Sequence, residues 1–394
     1  MEWCKKRHRV IQNILRVVFK PYLKLKYKVD ITTRNDFNEG AIILSNHVNV
    51  LDMFYVGVCY KNPIYYMSSI DLFEHAFLGK LLEYLVAPIP KEKSKKSDMA
   101  AIRNCIKISR ENGIICIFPE GNRTFSGKLG YVDPSIVKLI KLLKKPLVLF
   151  TIENGYGVDP RWSNKSRKGK LSFGPKKVLE YDDYKDMSNE ELYDLIIKEL
   201  SVNDFTYSMK YKSNRRAEYL ERILYICPKC GMLHSIYSNK NVVRCKECGL
   251  EVLYNEDLSL TANYDEFNFK NISEWYDYQL ETIKEKEYNN SIIYQDKVGL
   301  YQPRLYKNRL KLGNGNISMY MDKIVILANN QEYSFNFDDI EAMTLLGKKK
   351  MNIYHKGITY QVFGDKKLCL LKYVNLFYVL KNKKGGVEDG FVGL

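Results

Sequence analysis

The chain has 394 residues, of which 45% are apolar and 27% charged, and it carries 62 lysines and arginines against 46 acidic residues. These values are typical of a globular protein of two or three domains, and they exclude a collagen-like, mucin-like or wholly disordered chain. The formal net charge of +16 favours acidic partners such as phosphorylated substrates, an anionic membrane or nucleic acid. The alternative is that part of this charge reflects genome composition, because the chain is rich in Lys, Tyr and Asn and poor in Ala, as proteins encoded by AT-rich genomes are.

Residues 1–28 are strongly basic, with nine Lys or Arg and one acidic residue. Arg9, Asn13, Arg16 and Lys20 recur at helical spacing and apolar residues fill the other side, which predicts a basic amphipathic helix. Such a helix either lies in the plane of an anionic membrane surface or packs on its own domain, and this stretch favours neither.

Targeting signals are also read from this region. The charges at Arg16 and Lys20 interrupt the first apolar run, so we expect no secretory signal. Apolar stretches of about 18 residues are missing from the sequence, which predicts no transmembrane helix. We therefore expect a cytoplasmic protein, peripheral on the inner face of the cell membrane.

Residues 29–212 alternate between strand-like and helix-like patterns. Short apolar runs predict buried strands over 41–45, 114–118 and 147–152, and an edge strand over 170–173. Helical spacing and capping signals predict the intervening helices, the last of which opens on the capping box at Ser188. Strands joined by crossover helices indicate an α/β domain with a mixed sheet flanked by helices.

Two polar segments each follow a predicted buried strand. The first is Asn46-His47 with Asp52 five residues after the histidine, and a carboxylate there can orient the imidazole so that it acts as a general base. The second runs from Phe118 to Thr124. Ligands bind at the carboxyl ends of strands in open α/β sheets, so both segments are candidate site loops. Taken singly, each is no more specific than a chance pairing or an ordinary polar turn.

The second segment offers several candidate ligand contacts. The guanidinium of Arg123 suits a phosphate, and Glu120 can either hold that arginine or accept a substrate hydroxyl. Gly121 permits close approach of the backbone to a ligand.

Together the two segments resemble the glycerolipid acyltransferases, the 1-acyl-glycerol-3-phosphate acyltransferase family. Asn46-His47 with Asp52 matches the first motif of that family, Phe118-Pro-Glu-Gly with Arg123 matches the third, and the proline-led strand from Lys145 lies where the fourth is expected. The resemblance covers about residues 35–205. Three positions depart from the family pattern: Lys91 stands where an arginine ends the second motif, Asn122 replaces a threonine, and no second proline occurs near Thr151.

The resemblance implies an acyl transfer from a thioester, carried by CoA or by acyl carrier protein, to the hydroxyl of a lysophospholipid. His47 would be the general base, oriented by Asp52. Arg123 and Lys91 would hold the acceptor phosphate, with Glu120, Gly121 and Asn122 completing the substrate site. No catalytic metal or bound cofactor is implied.

Four of the nine cysteines form two Cys-x-x-Cys pairs, each followed by glycine: Cys227 with Cys230, and Cys245 with Cys248. This spacing predicts a structural Zn²⁺ site with four cysteine ligands, in a segment (213–260) that resembles a zinc ribbon. Iron is the lesser alternative. His234 lies within the segment and is surplus to a four-cysteine site.

Residues 261–394 alternate short strands and turns and end in helical spacing over 368–380, which predicts a β-rich accessory domain. Its strand rhythm and closing helix resemble a pleckstrin-homology or GRAM-like fold. The alternative to an enzyme is a non-catalytic membrane- or nucleic-acid-binding module built around the zinc ribbon. We expect nucleic acid to be an unlikely partner, because the basic residues concentrate in the N-terminal helix as much as near the ribbon.

Overall fold

The computed structural model of the protein describes residues 3–32, 37–69, 72, 76–91, 95–304 and 307–386. The chain divides into two units, which are Met1–Pro160 with Arg167–Tyr211, and Arg161–Ser166 with Lys212–Leu394. The domain boundaries expected from the sequence, at 28, 212 and 260, stay predictions.

The first unit is built on a seven-stranded sheet with the order β1-β7-β6-β2-β5-β3-β4. Its strands are β1 (Lys28–Ile31), β2 (Ala41–Ser45), β3 (Ile64–Ser69), β4 (Ile89–Lys91), β5 (Ile114–Ile117), β6 (Leu147–Glu153) and β7 (Lys170–Leu179). Strands β6, β2, β5, β3 and β4 are mutually parallel, whereas β7 runs antiparallel to β6. The carboxyl ends of the five parallel strands therefore meet at one edge of the sheet.

The described residues of the first unit form eight helices, of which the first precedes the sheet, the second to sixth connect its strands, and the last two follow it. They are α1 (Lys6–Lys26), α2 (Asp52–Gly57), α3 (Ala76–Val86), α4 (Lys95–Arg110), α5 (Ser135–Leu143), α6 (Gly155–Val158), α7 (Tyr181–Tyr184) and α8 (Asn189–Leu200). The predicted capping box is present at the start of α8: the Ser188 hydroxyl accepts from the Glu191 N–H, and the Glu191 carboxylate accepts from the Ser188 N–H.

Strands β2, β5 and β6 form the centre of the sheet. Every residue of β2 and β5 is apolar or small, and all of these residues are buried. Strands covered on both faces require such continuous apolar runs. On one face Ile42, Leu44, Ile115 and Leu149 pack against buried side chains of α4, α5 and α8.

The second unit begins with a four-stranded antiparallel sheet, β8 (Ile236–Asn239), β9 (Val242–Cys245), β10 (Glu251–Tyr254) and β11 (Leu260–Ala262). Helix α9 (Ile272–Glu285) follows. A seven-stranded antiparallel sheet comes next, with β12 (Tyr294–Arg304), β13 (Lys307–Met319), β14 (Lys323–Ala328), β15 (Gln331–Asn336), β16 (Ile340–Leu346), β17 (Lys350–His355) and β18 (Ile358–Phe363). Helix α10 (Leu371–Lys384) follows this sheet.

The seven strands form one meander of four and one of three, joined where β12 pairs with β18. The residues Leu371 to Val379 of α10 are all buried, which is the behaviour of a helix inside a core rather than on a surface.

The expected fold class is confirmed: a mixed α/β sheet flanked by helices, followed by a cysteine-bearing ribbon and a β-rich region. The finer resemblance to a pleckstrin-homology or GRAM-like fold stays a prediction. The prediction of an edge strand over 170–173 is wrong, because β7 extends to Leu179 and lies between β6 and β1.

The predicted N-terminal helix is present as α1, but polar side chains contact the rest of the unit and apolar side chains stay exposed, which is the reverse of ordinary amphipathic packing. The polar side chains of Arg9 and Arg16 bond Asn62 Oδ1 (2.9 Å) and the Tyr60 carbonyl (3.1 Å) of the same unit. Apolar side chains on another face stay exposed, among them Val17 (69%) and Leu25 (90%). None of the helices in the described part of the chain is long and apolar enough to cross a membrane.

Candidate active site

His47 and Asp52 lie within hydrogen-bonding distance at the carboxyl edge of the first sheet. His47 follows β2, and Asp52 is the first residue of α2. The intervening loop folds around the carboxylate, so that the N–H groups of Val48 and Asn49 donate to Asp52 Oδ2 at 2.6 and 3.0 Å. The same oxygen lies 2.7 Å from His47 Nδ1. The five-residue spacing thus closes a loop around one buried carboxylate.

This contact determines the state of the imidazole. Asp52 is fully buried, and a carboxylate accepts hydrogen bonds, so we assign the proton to Nδ1 of His47. Nε2 is then unprotonated and can act as a base. The His47 side chain is 23% exposed. A cavity of about 10 Å³ that adjoins it has about the size of one water molecule.

Three contacts fix the backbone around His47. Its N–H donates to Glu120 Oε1 (2.6 Å), and its carbonyl accepts from the Thr124 N–H (2.9 Å). The Asn46 amide pairs with both backbone groups of Ile152 on β6, at 2.8 and 3.0 Å. The loop after β2 is therefore tied to the loop after β5 and to β6.

Glu120 is buried, and both of its carboxylate oxygens accept from backbone N–H groups, those of His47 and Gly130 (2.7 Å). Burial raises the pKa of Glu120 to about 8; the two N–H donors lower it, and the Asp52 carboxylate adds to the rise. These partners belong to the protein, so the side chain braces the site loops. Its expected role in substrate binding stays a prediction.

Arg123 lies beside the histidine loop. It precedes Thr124, whose N–H bonds the His47 carbonyl. Burial lowers the pKa of the Arg123 guanidinium, while the carboxylates of Asp52 and Asp159 act in the opposite direction. The guanidinium of Arg123 therefore interacts electrostatically with the carboxylate that contacts His47.

The other residues of the predicted substrate site lie in different settings. Gly121 is exposed with φ +63°, a conformation that favours glycine, and nothing lies within 4 Å of where its Cβ would be. Asn122 is half-buried. Lys91 is exposed at the end of β4, three strands from β2, which places the two strand axes about 14 Å apart. Lys91 thus shares the sheet edge with His47 without lying beside it.

Sequence reasoning missed two residues of the site. The ring of Phe118 stacks on that of His47, with centroids 4.3 Å apart and planes 23° from parallel. Buried Asp204 accepts from the N–H groups of Asn154 (2.6 Å) and Tyr156 (2.8 Å), which follow β6, and burial raises its pKa to about 6. Phe118 belongs to the matched motif, but the sequence predicts it only as the last residue of a buried strand, and no sequence signal links Asp204 to β6.

The four paired cysteines converge in the second unit. The Sγ atoms of Cys227 and Cys248 are 3.6 Å apart, those of Cys230 and Cys245 are 3.7 Å apart, and all four lie within 4.8 Å of one another. Tetrahedral zinc with Zn–S bonds of about 2.3 Å requires sulfur separations of about 3.8 Å. The cluster therefore fits a four-sulfur metal site, with no position left over for catalysis.

The turns that present these sulfurs use the glycines noted in the sequence. Gly231 and Gly249 both have φ +69°, which lets each chain reverse directly after its second cysteine. His234 is not part of the cluster. Its Nδ1 lies 2.7 Å from the Nζ of Lys372 on α10.

Comparison with known proteins gives two family models. The model named "Acyltransferase" matches residues 26–153. Residues 26–153 are therefore similar to the acyltransferase family. A second model, a zinc ribbon described as "DNA directed RNA polymerase, 7 kDa subunit", matches residues 220–256. The resemblance expected from the motifs is thereby confirmed.

Two curated relatives each match part of this chain. A 1-acyl-sn-glycerol-3-phosphate acyltransferase of Bacillus subtilis is 28% identical over 121 residues, which are 30% of this chain and 57% of the relative. A probable enzyme of the same name from Mycoplasma pneumoniae is 22% identical over 158 residues, 39% of this chain and 57% of the relative. The chain thus spans little more than half the length of these relatives.

Among solved structures, the PlsC acyltransferase of Thermotoga maritima aligns with 48% of this chain and 77% of its own, at 16% identity and a TM-score of 0.38.

Proposed function

We propose that the protein is an O-acyltransferase that moves a fatty acyl chain from a thioester to the hydroxyl of a lysophospholipid such as 1-acyl-glycerol-3-phosphate. The observation that carries this proposal is the contact between His47 Nδ1 and buried Asp52, at the carboxyl edge of the sheet and beside the Arg123 loop. The acyltransferase family match and the names of the two curated relatives support the same reaction class.

The chemical step follows from the state of the imidazole. Nε2 of His47 takes the proton of the acceptor hydroxyl as that oxygen attacks the thioester carbonyl carbon. The new C–O bond forms, the C–S bond breaks, and the leaving thiolate takes the proton from Nε2 of the His47 imidazolium, which returns the base to its neutral form. Asp52 holds the ring in the correct tautomer and stabilises the imidazolium. Positioned general-base catalysis of this kind contributes about 10²–10⁴-fold.

Binding of the acceptor is assigned to the cation beside the base. Arg123 would hold the acceptor phosphate so that the hydroxyl points at His47, since a guanidinium forms paired hydrogen bonds to phosphate. Lys91 would attract the phosphate more weakly, as a point charge from the end of β4. Gly121 and Asn122 lie next to Arg123 in the same loop and would contact the head group.

The acyl donor is proposed as acyl-CoA or an acylated carrier protein. Both are thioesters, so the carbonyl is activated before it reaches the enzyme, and both are anionic, in keeping with a chain of net charge +16. This scheme assigns no step to a catalytic metal or a bound cofactor.

A membrane-surface location is proposed from the exposed side of α1. Apolar side chains at helical spacing stay 58–90% exposed there: Val10, Ile14, Val17, Val18 and Leu25. Phe77 on α3, a helix that contacts α1, is 80% exposed. Lysines flank this stripe at both ends of α1. Exposed apolar area bordered by cations suits an anionic bilayer surface.

The membrane proposal is tested with vesicles of phosphatidylcholine, with and without phosphatidylglycerol. Val17→Asp should lower vesicle binding about 10- to 100-fold, because the free energy of burying one such side chain is about 1.5–3 kcal/mol. Leu253→Asp, at an exposed leucine of β10, is the matched control and should bind like the wild type. Equal binding of all three proteins would contradict the proposal.

For the four-cysteine cluster we propose one structural Zn²⁺ per chain. The sulfur separations suit zinc, and Cys227, Cys230, Cys245 and Cys248 occupy all four positions of a tetrahedron. Zinc would hold the two knuckles together and take no part in acyl transfer.

The activity is tested with purified protein, palmitoyl-CoA or palmitoyl carrier protein, and lysophosphatidic acid. Wild-type protein should form phosphatidic acid, and His47→Ala should lose activity at least about 10²-fold while its zinc content stays unchanged. His355→Ala, a histidine of the second unit, is the matched control. Wild-type protein that forms no product with either donor, yet shifts DNA or RNA in a salt-sensitive manner, would favour the binding-module alternative.

A further inference from the structure

The ring of Phe118 covers one face of the His47 imidazole. Phe118 directly follows β5, and β5 pairs in parallel with β2, so the residues that follow the two strands lie side by side. The centroids are 4.3 Å apart and the planes are within 23° of parallel. Phe118 is half-buried at the site rather than enclosed in the core.

The polar groups around His47 act at other positions. Asp52 contacts the Nδ1 edge of the ring at 2.7 Å, and Glu120 bonds the backbone N–H of His47. Arg123 lies within the field of Asp52. The face of the imidazole that Phe118 covers is therefore in contact with carbon, while Asp52 contacts the edge of the ring and Glu120 contacts the backbone of His47.

An aromatic face interacts more favourably with a cation than with a neutral ring, because its π electrons concentrate negative charge above the plane. In the proposed reaction His47 is neutral before proton transfer and cationic after it. A contact that stabilises the cation selectively lowers the barrier, whereas one that stabilises both states equally does not.

We propose that Phe118 is a positioning residue that fixes the orientation of the His47 imidazole and stabilises the protonated form of that ring. This inference rests on the proposed function only for its catalytic consequence. The effect on protonation of the ring is a property of the folded protein and is measured without substrate.

The first measurement is an NMR titration of histidine Cε1–H signals in full-length protein with ¹³C-labelled histidine. The chain has five histidines, so the His47 signal is assigned by its loss in His47→Ala. Phe118→Leu should move the titration midpoint of His47 to lower pH by about 0.4–1.5 units, and Phe118→Tyr, which keeps the aromatic face, should stay near the wild type.

Phe173→Leu is the matched control, because Phe173 stacks on Tyr55 (centroids 4.9 Å apart) in the same unit and does not stack on His47. It should leave the His47 midpoint unchanged. Phe118→Met, also apolar and not aromatic, is the second variant in case leucine is not tolerated at this position.

The second measurement is steady-state acyl transfer. Phe118→Leu and Phe118→Met should lower kcat about 2- to 30-fold with little change in KM, and Phe118→Tyr should restore kcat. An unchanged His47 midpoint in folded Phe118→Leu and Phe118→Met would overturn the inference. If the wild type shows no activity while the His47 midpoint still shifts in the Phe118 variants, the proposed function is refuted and the effect of Phe118 on His47 is established.

Discussion

Replacing Glu120 with glutamine tests whether this buried carboxylate positions the histidine loop. The two carboxylate oxygens accept from His47 N (2.6 Å) and Gly130 N (2.7 Å). Glutamine has one acceptor oxygen, and its NH₂ group would face the other backbone N–H. One of the two bonds is therefore lost, and a buried donor is left without an acceptor.

The magnitude follows from that lost bond. A buried donor left unsatisfied costs about 1–3 kcal/mol of unfolding free energy. Release of the His47 backbone also displaces the imidazole, and a displacement of about 1 Å costs about 10²-fold in rate. We therefore expect Glu120→Gln to lower kcat/KM about 10- to 100-fold while the protein stays folded.

The variant also changes the pH dependence of stability. The pKa of Glu120 is raised to about 8 in the folded state, whereas it is ordinary in the unfolded chain. Between these values the folded state binds the proton and the unfolded state does not, so the free energy of unfolding falls as pH rises towards 8. The pKa of Asp204, raised to about 6, adds a second decrease in the free energy of unfolding, which is complete at a lower pH than the decrease due to Glu120. Glu120→Gln should remove the decline between pH 6 and 8.

The assay is hydrogen exchange of the β2 and β5 amides, followed by mass spectrometry between pH 5 and 8 with rates corrected for intrinsic exchange. It reports the opening of the first unit separately from the second. Glu190→Gln, on the exposed side of α8, is the matched control and should resemble the wild type. Unchanged protection of β2, an unchanged pH slope and unchanged kcat/KM in Glu120→Gln would together refute the bracing role.

Two further predictions concern the strand-end contacts and the cysteine cluster. Asn46→Asp should destabilise β2 by about 1–3 kcal/mol, because a carboxylate cannot donate to the Ile152 carbonyl; hydrogen exchange checks this, and protection equal to wild type would contradict it. Cys245→Ser should abolish stoichiometric zinc binding and expose the amides of 220–256 to exchange, whereas Cys369→Ser, at a buried cysteine outside the cluster, should keep its zinc. Retention of one zinc by Cys245→Ser would contradict the four-cysteine site.

A strand could be predicted from the sequence when its own residues carry the pattern, and not when its conformation depends on neighbours distant in sequence. Strands β2, β5 and β6 were predicted because each is a continuous apolar run, a pattern that burial on both faces imposes. Strands β1, β3 and β4 were missed because they are short or partly exposed and owe their conformation to neighbours distant in sequence. For β7 the sequence predicts only the first four residues, and as an edge strand, because the outer neighbour β1 lies at the other end of the domain.

The candidate site shows the same division. The contact between His47 and Asp52 was predictable, since five residues suffice to bring the carboxylate under the ring, and the zinc ligands were predictable from spacing alone. The bracing contacts of Glu120 and the stack of Phe118 were not, because each joins two loops about 70 residues apart. The sequence leaves open whether the apolar side of α1 faces the domain or away from it, because the contacts of Arg9 and Arg16 that orient the helix are made with residues distant in sequence.

The most direct test of the central claim is the rate of thiol release from palmitoyl-CoA or palmitoyl carrier protein that depends on added lysophosphatidic acid. The wild type should release thiol in step with phosphatidic acid, Asp52→Asn should be slower by about 10²-fold or more, and His47→Ala should be indistinguishable from buffer. Release at the wild-type rate by zinc-replete His47→Ala would show that this imidazole is not the base.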